Sequence, residues 1–404
     1  GVGDAGLAAL TIFMPIVASF FALGLLLGVG GGVLMSVAKG SGNESLAHKY
    51  FSTAMISAAV VSVCFAVFGA IFFDPMMYAL GADTTNIELV RGYGLCYTVS
   101  APLFIFSSSL QSFIRNDKSP RHAMIAVLTG SGLNILLDYL FIFVFKMGMF
   151  GASFATSIGT SITVCILIIH FFTKKNTMRF SFRFFSIKAL WEIAKCGFSS
   201  FLIECANAVL VFVFNHTLLK YIGSVGVTVY SIMSNVAVVC MSLFNGVTLA
   251  AQPIIATNHG ADNHKRVLQV RHIGTITSSV IAVIIFCVGF FFPDLLIYSY
   301  VKGPTPEILE LARYALRIYF FAYLFMNFNI FFSGYFQSTL RPVAAITIQI
   351  LRSLLLSSVL VSVLPMIFGA DAIWYAVPIT ECVTFFVAMA FLFFGRFQKT
   401  KEVK

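Results

Sequence analysis

Charge is scarce in this sequence. Asp, Glu, Lys and Arg make up 10% of its 404 residues, and the stretches between its apolar runs are too short to hold a soluble domain. Paired cysteines are lacking too: the eight Cys sit singly, mostly within apolar runs, with no CxxC and no metal-ligand spacing. They read as small apolar residues. Of the seven His, most lie near loops or run ends (His48, His122, His259, His264, His272), and no HExxH or Ser/His/Asp set can be recognised. Gly28, Gly30, Gly31 and Gly32 have no strand before them and no Lys-Ser/Thr after them. A phosphate-binding loop is therefore not indicated, and glycines inside an apolar run point to close helix packing or local bending. A membrane enzyme would need a nucleophile or metal cluster near the interface, and none appears, so neither enzymatic activity nor a cofactor is expected.

Apolar residues are abundant: 59% of the chain is hydrophobic, with 45 Phe. The runs are long enough to cross a hydrocarbon core of about 30 Å. Backbone in lipid must satisfy its own hydrogen bonds, which continuous apolar runs do as helices, whereas barrel strands would alternate polar and apolar. The sequence predicts an all-α integral membrane protein with spans at 7–38, 50–73, 87–114, 123–145, 151–172, 196–219, 227–257, 267–292, 308–337, 343–367 and 372–394.

The chain repeats itself with an offset of about 220 residues: Gly3 and Gly6 answer Gly223 and Gly226, Gly40 and Asn43 answer Gly260 and Asn263, Asp74-Pro75 answers Pro293-Asp294, Arg91 answers Arg313 and Pro120 answers Pro342. The second copy has a span, 196–219, ahead of its Gly223. Its counterpart would precede residue 1, so the chain is expected to lack the first helix of a twelve-helix protein. The expected organisation is an N-terminal lobe at 1–173, a connector at 174–190, a C-terminal lobe at 191–395 and a tail at 396–404.

Basic residues gather on one side of these spans, among them Lys39, Lys49, Arg115, Lys118, Arg121, Lys174, Lys175, Arg179, Arg183, Lys265, Arg266, Arg341 and the tail from Arg396. The opposite loops hold Lys146, Lys220 and Lys302, with Arg91, Arg313 and Arg317 beside Glu88, Glu307 and Glu310. Positive loops stay in the cytoplasm, which puts the connector and C-terminus inside. The net charge of +10 then reflects topology and contact with anionic membrane lipid, and no nucleic-acid partner is expected. Within the connector, alternating basic and aromatic residues suggest an interfacial helix anchored by Trp191.

Ionisable residues inside membrane helices are rare because burial there costs several kcal/mol, about 2.5–3.5 by insertion scales. Asp138 comes first. Gly130, Asn134 and Asp138 recur every four residues and form one helical stripe. A lone Asp in hydrocarbon would take a proton, whereas a cavity with water or a cation could keep it ionised, a sensitivity that suits ion coupling; the alternative is a carboxyl hydrogen-bonded to a neighbouring helix. Ser200, Glu204 and Asn207 form a second polar stripe around an acidic centre, readable as a cation site or an interhelical cluster. Glu381, beside Pro378, is a third acidic candidate, and Arg352 could pair with it or approach lipid phosphate. Asp83 and Asp262 read as solvated turns, and Asn43 and Asn263 as caps of the following helices.

The run FIRNDKSPRHAMIAVLTGSGLNILLDYLFIFVFKMGMFGASFAT, with SLFNGVTLAAQPIIATNHGADNHKRV and its weaker copy LGVGGGVLMSVAKGSGNESLAHKYF, resembles the MATE (multidrug and toxic compound extrusion) family of transporters. The resemblance covers nearly the whole chain and is nearest to the DinF/MepA-like bacterial branch. It implies two six-helix lobes in a V, a central cleft open alternately to each side, and multidrug efflux of organic cations by antiport with H⁺ or Na⁺. Asn134 and Asp138 match the family's fifth-helix Asn-x-x-x-Asp positions at the cation-coupling site. Glu204 falls, with a looser pattern, where sodium-coupled relatives carry an acidic residue, so Na⁺ near Asp138 or Glu204 is one expectation. Ser200, Glu204, Asn207 and Glu381 are the candidates for substrate binding. The implied setting is a bacterial inner membrane, with lipophilic organic cations and membrane lipid as partners and a functional monomer. A lipid-linked oligosaccharide flippase or metabolite exporter of the same superfamily is the rival, but a flippase would need buried cations to hold pyrophosphate, and the buried charges here are mainly acidic.

Overall fold

A computed structural model describes residues 3–301 and 303–402. Of the positions used above, Gly1, Lys302 and Lys404 lie outside the described residues, as do the side chains of the tail from Arg396. The described chain is predominantly helical, with no strand among the described residues. Ten helices there are long and apolar enough to cross a membrane, and a bent pair makes an eleventh.

The chain forms two compact units, Gly1–Glu204 and Cys205–Lys404. The first is built from α1 (Gly3–Gly40), α2 (Glu44–Ile71), the short α3 (Phe73–Ala79), α4 (Ile87–Val99), α5 (Ala101–Asn116), α6 (Pro120–Tyr139), α7 (Gly148–Ile169) and the first part of α8 (Ile187–Tyr221). The second holds the rest of α8, then α9 (Ser224–Gly260), α10 (His264–Phe291), the short α11 (Pro293–Tyr300), α12 (Pro306–Ser338), α13 (Pro342–Gln349), α14 (Leu356–Phe368) and α15 (Ala376–Glu402).

Local chemistry sets these boundaries. Asn43 and Asn263 cap α2 and α10 as expected, each side-chain oxygen accepting from the backbone N–H three residues on, Leu46 at 3.0 Å and Arg266 at 3.1 Å. The repeat also has a structural meaning at the short helices. Asp74 opens α3 and Asp294 opens α11, and each carboxylate is gripped by two nitrogens of the arginine that answers across the repeat, Arg91 and Arg313. A fork of this kind fixes the turn to the following long helix.

The span at 87–114 is bent by 50° between α4 and α5, where Ser100 separates them and Pro102 enters the next helix. Pro has no N–H to donate, so the helix can break there. In the first unit α1 lies centrally against α2, α4 and α5, and α6 pairs with α7. An aromatic seam runs through it, with Phe13 edge-on to Tyr97 at 5.7 Å and Tyr97 stacked on Phe104 at 4.2 Å. The α1 glycines mark close approach, as expected: a Cβ on Gly30 would come within 2.3 Å of the Ile193 carbonyl oxygen, and one on Gly197 within 2.0 Å of that of Leu26. In the second unit α12 is the central helix, against α9, α10 and α15.

The connector corrects one expectation. It is not an interfacial helix: between His170–Phe172 and Ile187 it holds one short 3-10 turn, Phe182–Phe184. Polar side chains of α2 hold it extended, Ser52 accepting from the Ser181 N–H at 3.1 Å and Thr53 from the Ser186 N–H at 3.3 Å. Bonds of this kind compete with helical ones. Trp191 lies in the first turns of α8, 63% exposed, with Lys195 over its ring.

Candidate functional site

The stripe on α6 faces α7. Gly130 lets the helices touch: a Cβ there would meet the Thr163 hydroxyl at 1.8 Å and the Gly159 carbonyl oxygen at 2.6 Å. One turn on, the Asn134 amide donates to the Thr156 hydroxyl at 3.3 Å, and Thr156 donates to the Ala152 carbonyl at 2.9 Å. Helix α7 is lined with hydroxyls that hydrogen-bond back to their own helix, including Ser157, Thr160, Ser161 and Thr163. Their oxygens stay inside the bilayer without breaking the helix.

Asp138 closes the stripe in the last turn of α6. It is half-buried, and its Oδ1 is buried with no hydrogen-bond donor among the described residues. Tyr93 of α4 lies near enough to feel its charge. Just past it the chain widens into a π-turn over Leu140–Val144, a feature common beside functional sites. A buried carboxylate oxygen without a donor bears the full desolvation penalty, so a proton or small cation at this point would relieve a cost that the protein leaves unmet. The alternative of a carboxyl tied to a neighbouring helix has no hydrogen bond behind it at Oδ1.

The other candidates are differently placed. On α8, Ser200 and Glu204 are partly buried and Asn207 is exposed; Glu204 ends the first unit, and Asn207 belongs to the second. Glu381 on α15 is 3% exposed and closed off. Its Oε1 accepts from Arg352 Nε at 3.0 Å and Nη2 at 2.8 Å, and its Oε2 accepts from Asn329 Nδ2 at 2.7 Å. Of the two roles open to Arg352 from the sequence, pairing with Glu381 and approach to lipid phosphate, the first is seen, and it leaves no carboxylate oxygen of Glu381 open to a ligand. Cavities that could take small molecules occur within each unit, flanking α4 in the first and α12 in the second.

Sequence reasoning missed a buried polar node at one end of the first unit. Asp117, 1% exposed, follows α5 and accepts from Lys39 Nζ at 2.5 Å, His170 Nε2 at 2.9 Å, the Thr177 N–H at 3.0 Å and the Thr177 hydroxyl. Burial pushes its carboxyl up, but the bonds from Lys39, Thr177 and His170 outweigh this and hold it below the ordinary value. The node ties the connector to α1 and α5. Thr156 and Tyr93 were missed as well, since neither carries a motif; the crowding of Ser and Thr in α7 was the available signal for Thr156.

The sequence matches the MatE family over residues 1–140 and 196–363. It is 27% identical over 385 residues to the multidrug export protein MepA of Staphylococcus haemolyticus, spanning 95% of this chain and 84% of that protein. To MepA of Staphylococcus saprophyticus it is 26% identical over 405 residues, 99% of this chain and 88% of the relative. The fold superposes on the outward-facing conformation of a multidrug resistance MATE family transporter of the MOP superfamily with a TM-score of 0.91 at 21% identity, covering 99% of this chain and 89% of that one. It superposes equally, at 0.91 and 21%, on a MOP superfamily transporter from Pyrococcus furiosus, covering 100% of this chain and 90% of the other. With a matched sequence pattern across most of its length and an all-helical membrane fold shared with these transporters, the chain belongs to the MatE family.

Proposed function

We propose that this chain exports lipophilic organic cations in exchange for H⁺ or Na⁺, and that Asp138 holds the coupling ion. The observation that carries this reading is the Oδ1 of Asp138, buried on a membrane helix with no donor among the described residues. Asn134 and Thr156 add oxygens one turn away along the α6–α7 seam. Two relatives bear the name multidrug export protein, which supports an export role; organic cations as the cargo are what the MATE resemblance implies. Aromatic and Met surfaces suit a lipophilic cation, and Glu204 adds long-range attraction.

The energetics are sufficient. One charge moving inward across about 100 mV supplies about 2.3 kcal/mol, roughly a fifty-fold gradient. Exchange of one monovalent drug for one proton moves no net charge and uses only the ion's concentration gradient; two ions per drug recover the electrical contribution. We place the protein in a bacterial inner membrane with the connector inside, acting as a monomer. The flippase reading weakens because Arg352, its one buried cation from the sequence, is neutralised by Glu381. Ethidium efflux from vesicles under imposed proton or sodium gradients tests the proposal: one of the two should accelerate efflux, and indifference to both would overturn it. Lipid scrambling without dye movement would favour the flippase.

A further inference from the structure

Helix α4 has two working faces. Tyr93 and Tyr97 turn toward Phe13 of α1, both with ring centroids 5.7 Å away. The other face, with Glu88, Gly92, Leu95 and Val99, borders a groove of about 820 Å³ completed by Leu103 of α5 and by Phe150 and Phe154 of α7. That volume lies in the range of about 300–1,000 Å³ usual for small-molecule sites. The walls are mostly apolar, with the hydroxyls of Ser100, Ser157 and Ser161 among them, and the charged groups, Glu88 and Arg91, lie at one end.

The repeat supplies a control built into the same chain. In the register that aligns Arg91 with Arg313, Glu88 is answered by Glu310, Gly92 by Tyr314 and Leu95 by Arg317, and these four second-copy residues line a smaller cavity of about 390 Å³. Both copies keep the arginine fork on an aspartate. They differ in charge balance. In the second copy, Arg313 and Arg317 offset Asp294 and Glu310, with Arg317 near enough to act on Asp294. In the first, Arg91 alone stands against Asp74 and Glu88, both of its bonding nitrogens are on Asp74, and among the described residues Glu88 has no ion-pair partner. The first groove is therefore wide, apolar and acidic at one end, while its counterpart is narrowed by Tyr314 and charge-balanced by Arg317.

We propose that the groove between α4, α5 and α7 binds a lipophilic monovalent organic cation, its charge toward Glu88 and its apolar groups along Leu95, Val99, Leu103 and Phe154. The ligand class rests on the export reading above; the location does not, because the groove lies across α4 from Asp138. Glu88 is exposed at the head of α4, where Arg91 is shared between it and Asp74; the surplus carboxylate beside apolar walls draws a cation to that end, and aromatic walls add to it. A neutral lipid chain would fill the same walls with no use for Glu88.

Cys96 borders the groove and reports on it. The purified full chain is alkylated with a membrane-permeant maleimide, the modified cysteines are resolved by mass spectrometry, and tetraphenylphosphonium is the probe. Saturable protection of Cys96 by at least tenfold is expected, with Cys64 and Cys165, which are exposed elsewhere, unaffected. Glu88→Gln should raise the concentration needed at least tenfold, Leu95→Arg, which copies Arg317, should abolish protection, and neutral triphenylphosphine oxide should give none. Thermal unfolding of each variant verifies folding, and either variant alone decides the case. Absence of protection in the unsubstituted protein, equal protection by the neutral compound, or wild-type protection in a folded variant would overturn the proposal. Protection without gradient-driven ethidium efflux would leave the groove standing and remove the export reading; efflux without protection would do the reverse.

Discussion

Arg352 and Glu381 face each other inside the second unit with 5% and 3% of their surfaces exposed, the guanidinium placing both Nε and Nη2 on one carboxylate oxygen. The other oxygen is held by Asn329, whose amide also donates to the Glu381 backbone carbonyl at 2.8 Å. Arg352 lies in a π-turn, Ile350–Leu355, whose wider backbone is steadied by Ser357 donating to the Arg352 carbonyl at 2.6 Å. A pair this enclosed links α12, the turn after α13, and α15.

Arg352→Met should therefore lower stability by about 3–5 kcal/mol, because it strands a buried carboxylate. Adding Glu381→Met should recover most of that loss, since Asn329 keeps its bond to the backbone carbonyl. Thermal unfolding of the single and double variants checks this; additive losses would show that the two side chains are not coupled.

Asp117→Asn should release the connector. Its carboxylate holds Lys39, His170 and Thr177 together, and loss of a buried charged acceptor costs about 1–3 kcal/mol. Limited trypsin digestion should cut faster after Lys174, Lys175 and Arg179 in the variant. An unchanged cleavage rate would remove the node as the connector's anchor.

The same node gives a pH dependence. Asp117 has a lowered pKa in the folded protein, so its contribution is complete above the unfolded carboxyl value of about 3.9. It is lost as pH falls below that value through the folded one. Unfolding midpoints followed from pH 6 downward, to about pH 3, should fall more steeply for the unsubstituted protein than for Asp117→Asn, and parallel curves would contradict this.

Gly197→Ala should destabilise the first unit by about 1–3 kcal/mol by overpacking, since the new Cβ would lie 2.0 Å from the Leu26 carbonyl oxygen. Gly132→Ala, with nothing within 4 Å of its Cβ, should be tolerated. Unfolding midpoints of the two variants make the comparison.

The membrane helices were legible because apolar runs and their punctuation are local facts; the span read at 267–292 is α10, His264–Phe291. The repeat was legible as well, and the Asp74–Arg91 and Asp294–Arg313 forks show why those residues answer each other. Less legible was whatever depends on a partner far away in sequence. Lys39 reads as one more positive loop charge until its bond to Asp117 is seen. The connector reads as amphipathic, yet hydroxyls of α2 hold it extended. The π-turns after Asp138 and around Arg352 left no pattern, because one extra residue in a turn does not alter an apolar run. The stripe of Gly130, Asn134 and Asp138 was visible from its spacing, whereas its facing partners on α7 required the fold.

The most direct test of the central claim compares Asp138→Asn with the unsubstituted protein in reconstituted vesicles, measuring ethidium movement with and without an imposed ion gradient. The account predicts that the variant folds and still exchanges ethidium down its own gradient, but that a proton or sodium gradient no longer drives accumulation. Gradient-driven transport at the unsubstituted rate in Asp138→Asn would contradict it.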